Sequence, residues 1–400
     1  MSLIEKAKNT LGVYVQVPFC ASKCSFCNFS SQVAPLSVFD AYCRALLNEI
    51  EMLPRVYSRE GIAPTLCTLK VDTVYFGGGT PSLLGSPRLR RLVQALRARF
   101  QFVDTSEVTL EAAPGSVDEA FCDSTLELGI NRLSIGAQSF NDRELSSTGR
   151  LHSSAETQAL VHTARRAGFS NISIDLMAGL PYQTKPSWLA SVGEALKLEP
   201  EHISIYLFEV DEKSRLGSEV IHHGSHLHAD TVPDDDFMAA AYEKAQELLA
   251  GQGYVQYEIS NFALPGRESR HNQKYWRLEP YVGLGAGAHS FDGAHRWANV
   301  TEVETYQGNI SRGDSPITEH RLLSAGEQLE EFFFLGLRQK NGVDLQTARR
   351  KWGELEVGQW EPKLSNLARQ GWIDRRDDRI FLPASAYLVS NEIFQEFIVK

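Results

Sequence analysis

The densest chemistry in this chain lies in the stretch Cys20-Ala-Ser-Lys-Cys24-Ser-Phe-Cys27, which directly follows a short apolar, β-branched run at residues 13–19. Thiolates this close in sequence can converge on one inorganic centre, and iron–sulfur sites are built from Cys thiolates. A cubane [4Fe–4S] cluster needs four iron ligands, so Cys20, Cys24 and Cys27 would leave one iron open. An open iron can chelate the amino and carboxylate groups of S-adenosylmethionine (SAM), and an electron passed through the cluster can then cleave the sulfonium. The cofactor carries that chemistry and the protein supplies geometry. Structural zinc is the rival reading. Zinc takes four closed ligands, usually as two pairs; no second pair stands here, and His152 or His162 would have to complete the site outside any paired motif. Three unmetallated buried thiols account poorly for the spacing.

Such a loop must be held by a frame. Strand patterns at 13–19, 73–76, 108–110, 132–135, 172–176 and 202–210 alternate with helical patterns at 38–53, 87–100, 118–128, 155–167 and 186–198. Repeated βα units imply right-handed crossovers and a parallel sheet, either open or a partial barrel. The partial barrel is favoured because Cys20, the Gly77-Gly78-Gly79 run, Glu111, Gln138 and Asp175 all fall at or just past the C-terminal end of a strand. Parallel α/β folds build their sites on that edge. Glycines let a backbone approach a ligand closely. The stretch Gly77-Gly78-Gly79-Thr80 lacks the Lys of a phosphate-binding loop, and its bland reading is a tight turn. A carboxylate at Glu111 or Asp175 can accept from ribose hydroxyls or an ammonium, and Arg150 can pair with a carboxylate. Each alone is more often a solvated surface group; together, at successive strand ends, they face a shared pocket.

The remainder is less regular. Residues 216–236 read as a polar loop holding His222, His223, His226 and His228, with Asp234, Asp235 and Asp236 opening a helix at 237–249. A strand is predicted at 254–259, mostly irregular chain over 261–310, and helical chain from 317 onward, with helices at 325–337, 360–370 and 386–398 and a hairpin at 372–382. Helix, hairpin and helix suggest a small winged-helix-like unit. The run Gly283–Ala288 mimics a dinucleotide fingerprint but lacks a following helix, so it reads as close backbone packing. Composition (42% hydrophobic, 22% charged) is that of a soluble globular chain. Its 400 residues allow two or three domains, or one large α/β domain with an appendage. The formal charge of −10 disfavours nucleic acid as a partner. No signal-like segment or membrane-length apolar run is present, so a cytoplasmic location is expected, with Cys43, Cys67 and Cys122 as small packing residues.

The C-x-x-x-C-x-x-C motif after the first strand, with Phe26 in the aromatic place before the last Cys, resembles the radical SAM superfamily. The resemblance implies an α/β fold, a partial (β/α)6 barrel. It assigns a [4Fe–4S] cluster to Cys20, Cys24 and Cys27, and Tyr14 and Phe26 to the pocket beside it. It assigns SAM to Gly78, Gly79, Thr80, Glu111, Gln138, Arg150 and Asp175. Three regions follow: a core over 1–215, an extension over 216–315, and a small helical, winged-helix-like domain over 316–400. The segments beginning at Val13, Gly149, Asp175, Tyr257 and His271 are similar to the coproporphyrinogen dehydrogenase-like branch. That branch holds oxygen-independent coproporphyrinogen III oxidases, which decarboxylate porphyrinogen propionates, and heme chaperones of the HemW group.

The resemblance favours the chaperone kind on three features. Phe29 stands where the oxidase has a further Cys, only nineteen residues precede Cys20, and His271-Asn-Gln-Lys-Tyr-Trp276 matches the H-N-x-x-Y-W mark, whose His is the implied heme contact. Imidazole is a sound axial heme ligand; the bland reading is a His-Asn pair that stabilises a loop. Implied partners are heme, recipient respiratory hemoproteins and a low-potential electron donor such as a flavodoxin or ferredoxin. A homodimer and transient membrane association are compatible with the chain. Gln16, where both relatives usually carry His, and Ala113, where Asn is usual, depart from the pattern and predict looser hydrogen bonding around SAM.

Overall fold

The computed structural model describes residues 10–398. The predicted alternation is present. Strands β1 (Thr10–Val17), β2 (Lys70–Gly78), β3 (Phe102–Ala112), β4 (Arg132–Gln138), β5 (Ile172–Ala178) and β6 (His202–Leu207) are neighbours in one sheet and pair in parallel. The connecting helices include Leu36–Glu60, Gly85–Arg99, Glu119–Glu127, Ser154–Ala167 and Lys185–Lys197. The order β1 to β6 does not close on itself, which makes a partial barrel. Each strand alternates. Val13, Val15 and Val17, then Leu133 and Ile135, then Ile172, Ile174 and Leu176, are fully shielded on the outer face. The opposite face carries Tyr14 and Gln16, Ser134 and Gly136, Ser173 and Asp175, and is polar.

Four expectations are corrected. Residues 216–236 are not simply a loop: Ser214 caps a helix at Arg215–Ile221, and a 3-10 turn spans His226–Thr231. The segment is too short for helical periodicity to declare itself. Residues 261–310 are not mostly irregular. Strands β7 (Val255–Gln256) and β8 (Asn261–Ala263) extend the sheet beyond β6. Strands β9 (Tyr281–Leu284), β10 (His289–Phe291), β11 (His295–Asn299) and β12 (Ile317–Leu322) extend it beyond β1. Helices Arg270–Trp276 and Val303–Arg312 lie between them. The helical expectation from 317 also fails at its start, because the edge strand β12 pairs with β11. Its run Thr318-Glu319-His320-Arg321 is polar and exposed throughout, so it gave no buried face to read. Further on, β13 (Val343–Asp344), β14 (Asp374–Arg376) and β15 (Arg379–Phe381) make a separate three-stranded sheet among helices such as Ala325–Gly336 and Glu361–Arg369. The last predicted helix is instead a 3-10 turn followed by Ser390–Gln395. The histidines at 222, 223, 226 and 228 are all exposed.

The glycine run at 283–288 is the turn that joins β9 to β10, and it is pinned by a buried carboxylate. Glu49 accepts from Gly285 N–H (2.8 Å), Tyr306 Oη (2.6 Å) and Asn299 Nδ2 (2.7 Å). This fastens helix Leu36–Glu60 to the extended edge of the sheet. Burial pushes the Glu49 carboxyl from 4.5 up to about 7. Its share of the stability is therefore largest below the unfolded value and declines as pH rises toward 7. Replacing Glu49 by Ala strands three donors and is expected to cost about 3 kcal/mol in urea unfolding. In the Glu49→Gln variant, the stability difference from the parent is expected to shift in the variant's favour between about pH 4.5 and about pH 7.

Candidate functional site

At the C-terminal ends of β1–β6 the polar face opens into a cavity of about 420 Å³, a size that suits a nucleoside-like ligand. Cys20, Cys24, Phe26 and Cys27 line it from the loop after β1, with Tyr14, Gly78, Gly79, Thr80, Glu111, Gln138, Arg150 and Asp175. So every predicted site residue except His271 is brought to one cavity. The cysteine loop is held from outside. Cys20 N–H donates to Gln32 O (3.0 Å), Ser25 N–H to Thr148 O (2.9 Å), and Leu216 N–H to Ser25 O (2.8 Å). The last bond gives the unforeseen helix Arg215–Ile221 a role as a buttress, strengthened by Arg215 Nη2 donating to Lys23 O (2.6 Å).

The three thiols are free and half-buried. Burial pushes the Cys27 thiol up, and the nearby Cys24 and Cys20 add to the effect. No three or more His, Cys, Asp or Glu side chains among the described residues meet tightly enough for a single ion. A cubane cluster offers each thiolate its own iron and does not require them to meet at a point. His152 is buried against Ala137 O (3.3 Å) and His162 is exposed, so neither completes a zinc site.

Around the cavity the polar groups are strictly placed. Tyr75 Oη donates to Glu111 Oε1 (2.9 Å) and Gly78 N–H to Glu111 Oε2 (3.1 Å). Burial pushes the Glu111 carboxyl up to about 7. Ser204 Oγ donates to Asp175 (2.8 Å), with Ser134 Oγ farther away (3.4 Å), and burial raises this carboxyl too. Tyr14 Oη donates to Gln16 Oε1 (2.8 Å), and Gln16 Nε2 reaches Ser30 O (3.5 Å). Gln16 thus ties the Tyr14 ring to the cysteine loop instead of leaving it loose. Gln138 adopts a left-handed φ of 67°, uncommon without glycine, and its buried Oε1 has no partner; Arg150 Nε has none either. Unpartnered polar atoms on two residues that line the cavity fit a polar ligand such as SAM. The glycines serve the chain as much as a ligand. A Cβ on Gly79 would stand 2.5 Å from Phe19 O, and Gly78, at φ 114°, packs on Gln16. Residues the sequence reading missed include Tyr206, which leans into the cavity from β6, and Phe29 on its rim, 66% exposed. Strand alternation from Ser204 was the available signal for Tyr206.

His271 lies elsewhere. It is 1% exposed, with Nδ1 on Thr73 Oγ1 (2.9 Å) and Nε2 on Tyr275 Oη (2.8 Å). Helix Arg270–Trp276 closes the opposite end of the barrel: its first N–H groups donate to Glu107 (3.2 and 3.1 Å), and Lys274 pairs with Asp72 (2.8 Å) and Glu279 (3.2 Å). Neither imidazole nitrogen is therefore free in this conformation. Both ring nitrogens are engaged, because a polar barrel floor must be satisfied. Burial, then the Lys274 charge, push the ring down from 6.5 to about 3. The buried neutral ring supports the fold above the unfolded value, and that support is lost as pH falls from 6.5. The stability gap between the parent and a His271→Gln variant is expected to narrow by about 1.4 kcal/mol per pH unit below that point, read by urea unfolding.

Residues 14–192 match the model of the radical SAM superfamily, and residues 323–389 that of the HemN C-terminal domain. The chain is 35% identical over 386 residues to the heme chaperone HemW of Bacillus subtilis (strain 168), which covers 96% of this chain and 98% of that one. It is 36% identical over 282 residues to the heme chaperone HemW of Escherichia coli (strain K12), at 70% and 69% coverage. The structure of the coproporphyrinogen III oxidase HemN from Escherichia coli, described as a radical SAM enzyme, superposes with a TM-score of 0.83 at 24% identity, over 98% of this chain and 90% of that one. By its near full-length identity to these chaperones, the chain belongs to the HemW family of the radical SAM superfamily.

Proposed function

We propose that this protein is a heme chaperone that carries a [4Fe–4S] cluster and SAM and delivers heme to respiratory hemoproteins. The observation that carries the reading is the 35% identity to a heme chaperone over nearly all of both chains. Cys20, Cys24 and Cys27 would hold the cluster. Glu111, Asp175, Gln138, Arg150 and the Gly78-Gly79-Thr80 backbone, with Tyr14 and Phe26 beside them, would hold SAM. With the cluster bound, Cys20, Cys24 and Cys27 would place it beside SAM, and the chemistry it would supply there is one-electron reduction of the sulfonium. The chain's own residues orient the ligand. Glu111 and Asp175 offer negative charge, Arg150 faces the cysteine loop with Nη1 3.6 Å from Cys24 Sγ, and Phe26 and Phe29 restrict water at the rim.

Heme is cargo here. We place its contact on helix Arg270–Trp276, with His271 Nε2 as axial donor once it leaves Tyr275 Oη. A flavodoxin- or ferredoxin-like donor would supply electrons, and the protein would work in the cytoplasm. No helix among the described residues is long and apolar enough to cross a membrane.

A heme titration of the anaerobically reconstituted protein, followed at the Soret band beside His271→Ala, tests the reading. Saturable binding that weakens at least tenfold in the variant, about 1.4 kcal/mol, is expected. Anaerobic incubation with coproporphyrinogen, SAM and a reductant is expected to give no catalytic turnover; turnover would replace the chaperone with the oxidase.

A further inference from the structure

Below the cavity, the barrel lumen holds a guanidinium that the reading above does not use. Arg132 opens β4, is 2% exposed, and pairs in register with Thr109 of β3. Two residues on, Ser134 pairs with Glu111 and reaches Asp175. Residues two apart on a strand share a face, so Arg132 stands one layer beneath Glu111, about 7 Å along the strand; Asp175 lies a layer higher in register, and its carboxylate reaches down to Ser134. Among the described residues Arg132 makes no ion pair, and its buried Nε has no hydrogen-bond partner. A buried charge without counter-charge is costly; Glu111 and Asp175 lie above Arg132, and Glu107, two residues before Thr109 on β3, lies below it and is already engaged by the Arg270 and His271 N–H groups. Burial raises both carboxyls, and the Arg132 charge opposes it at each.

The other groups that face this cluster are neutral or oppose it. His202 of β6 is held neutral first by burial and then by the Arg132 charge, and His271 of the floor helix by burial, then the Lys274 charge, then Arg132. Tyr75 of β2 and Tyr257 of the floor are phenols whose ionisation burial suppresses. Tyr14 of β1 and Tyr206 of β6 also line the cavity with Glu111 and Asp175 and are likewise held as neutral phenols by burial. Beneath are two more buried acids: Glu107, which accepts from the Arg270 and His271 N–H groups, and Glu258, with Arg338 3.9 Å away as its own partner.

We propose that Arg132 is a positioning residue for SAM: from beneath them in the lumen, its guanidinium lets Glu111 and Asp175 be ionised together, so the cavity floor presents two negative charges to a cationic ligand. This rests on the SAM reading above. Two measurements on the full chain separate the failures. The first is the SAM dissociation constant of reconstituted protein by equilibrium dialysis, from about pH 6 to about pH 9. Parent affinity is expected to strengthen as Glu111 loses its proton near 7. In Arg132→Gln that rise moves up by about one pH unit or more. SAM binding then weakens about tenfold near neutrality, and the two proteins converge at the alkaline end. Arg132→Lys retains the charge and keeps the parent profile. A uniform loss at every pH, or an unchanged profile, overturns the proposal. Parent protein that binds no SAM sinks the site reading instead.

The second measurement needs no SAM. The thermal midpoint of Arg132→Gln relative to the parent is expected to fall between about pH 5 and about pH 8, as the two carboxylates ionise without their counter-charge. Parallel profiles overturn the proposal whatever SAM does. Should the Gln variant fail to fold, Arg132→Lys decides: a parent-like pH profile supports the charge role, and a shifted one removes it.

Discussion

A polar strand face turned inward is the constraint on which this structure depends. Parallel barrels usually fill their interiors with branched apolar side chains. Here the inward positions of β1–β6 carry phenols, hydroxyls, carboxylates, an imidazole and a guanidinium, and each needs a partner away from bulk water. Ser134, Ser173 and Ser204 turn toward Asp175, and Tyr75 and the Gly78 N–H toward Glu111. Where partners run out, at Gln138 Oε1 and Arg150 Nε, the lumen has reached its mouth and the cysteine loop. The candidate site is thus the open end of this network, which leaves Arg132 Nε unpartnered below it.

The same constraint explains the far end. Thr73, Glu107 and His202 would face water there without helix Arg270–Trp276 and Tyr257, which bind all three. That floor in turn carries the C-terminal region: Lys340 N–H donates to Tyr257 O (3.0 Å), Gln339 Nε2 to Trp276 O (3.3 Å), and the Arg338 guanidinium lies 4.5 Å from the Trp276 ring centroid. The H-N-x-x-Y-W motif therefore joins two parts of the fold, whatever it does with heme. Exposure of His271 would require part of this junction to loosen.

The sequence made the βα alternation legible because outer-face residues such as Ile172, Ile174 and Leu176 are apolar at period two and the helices are amphipathic at period 3.6. It made the cavity legible because Cys20, Gly78, Glu111, Gln138 and Asp175 fall at strand ends, where a parallel sheet must put its site. What it hid is non-local. Strands β8 to β12 are short and acquire their partners from segments far away, so no local pattern marks them. Arg215–Ile221 is a helix because a Ser cap and a docking site on the cysteine loop suit it, not because of its periodicity. Gly79 looked like a ligand cradle and is also required by the carbonyl of Phe19. His271 looked like a free ligand because nothing local announces that Thr73, some two hundred positions earlier in sequence, completes its hydrogen bonding.

The account's central claim is that the open end of this polar lumen holds a cluster on Cys20, Cys24 and Cys27 with SAM directly beside it. The most direct test is electron paramagnetic resonance of the anaerobically reconstituted, reduced protein with and without SAM. The account predicts a [4Fe–4S] signal that changes shape and g-values when SAM is added, and that is lost in a Cys24→Ala variant. A normal cluster signal indifferent to saturating SAM, or a signal that survives the loss of Cys24, would contradict it.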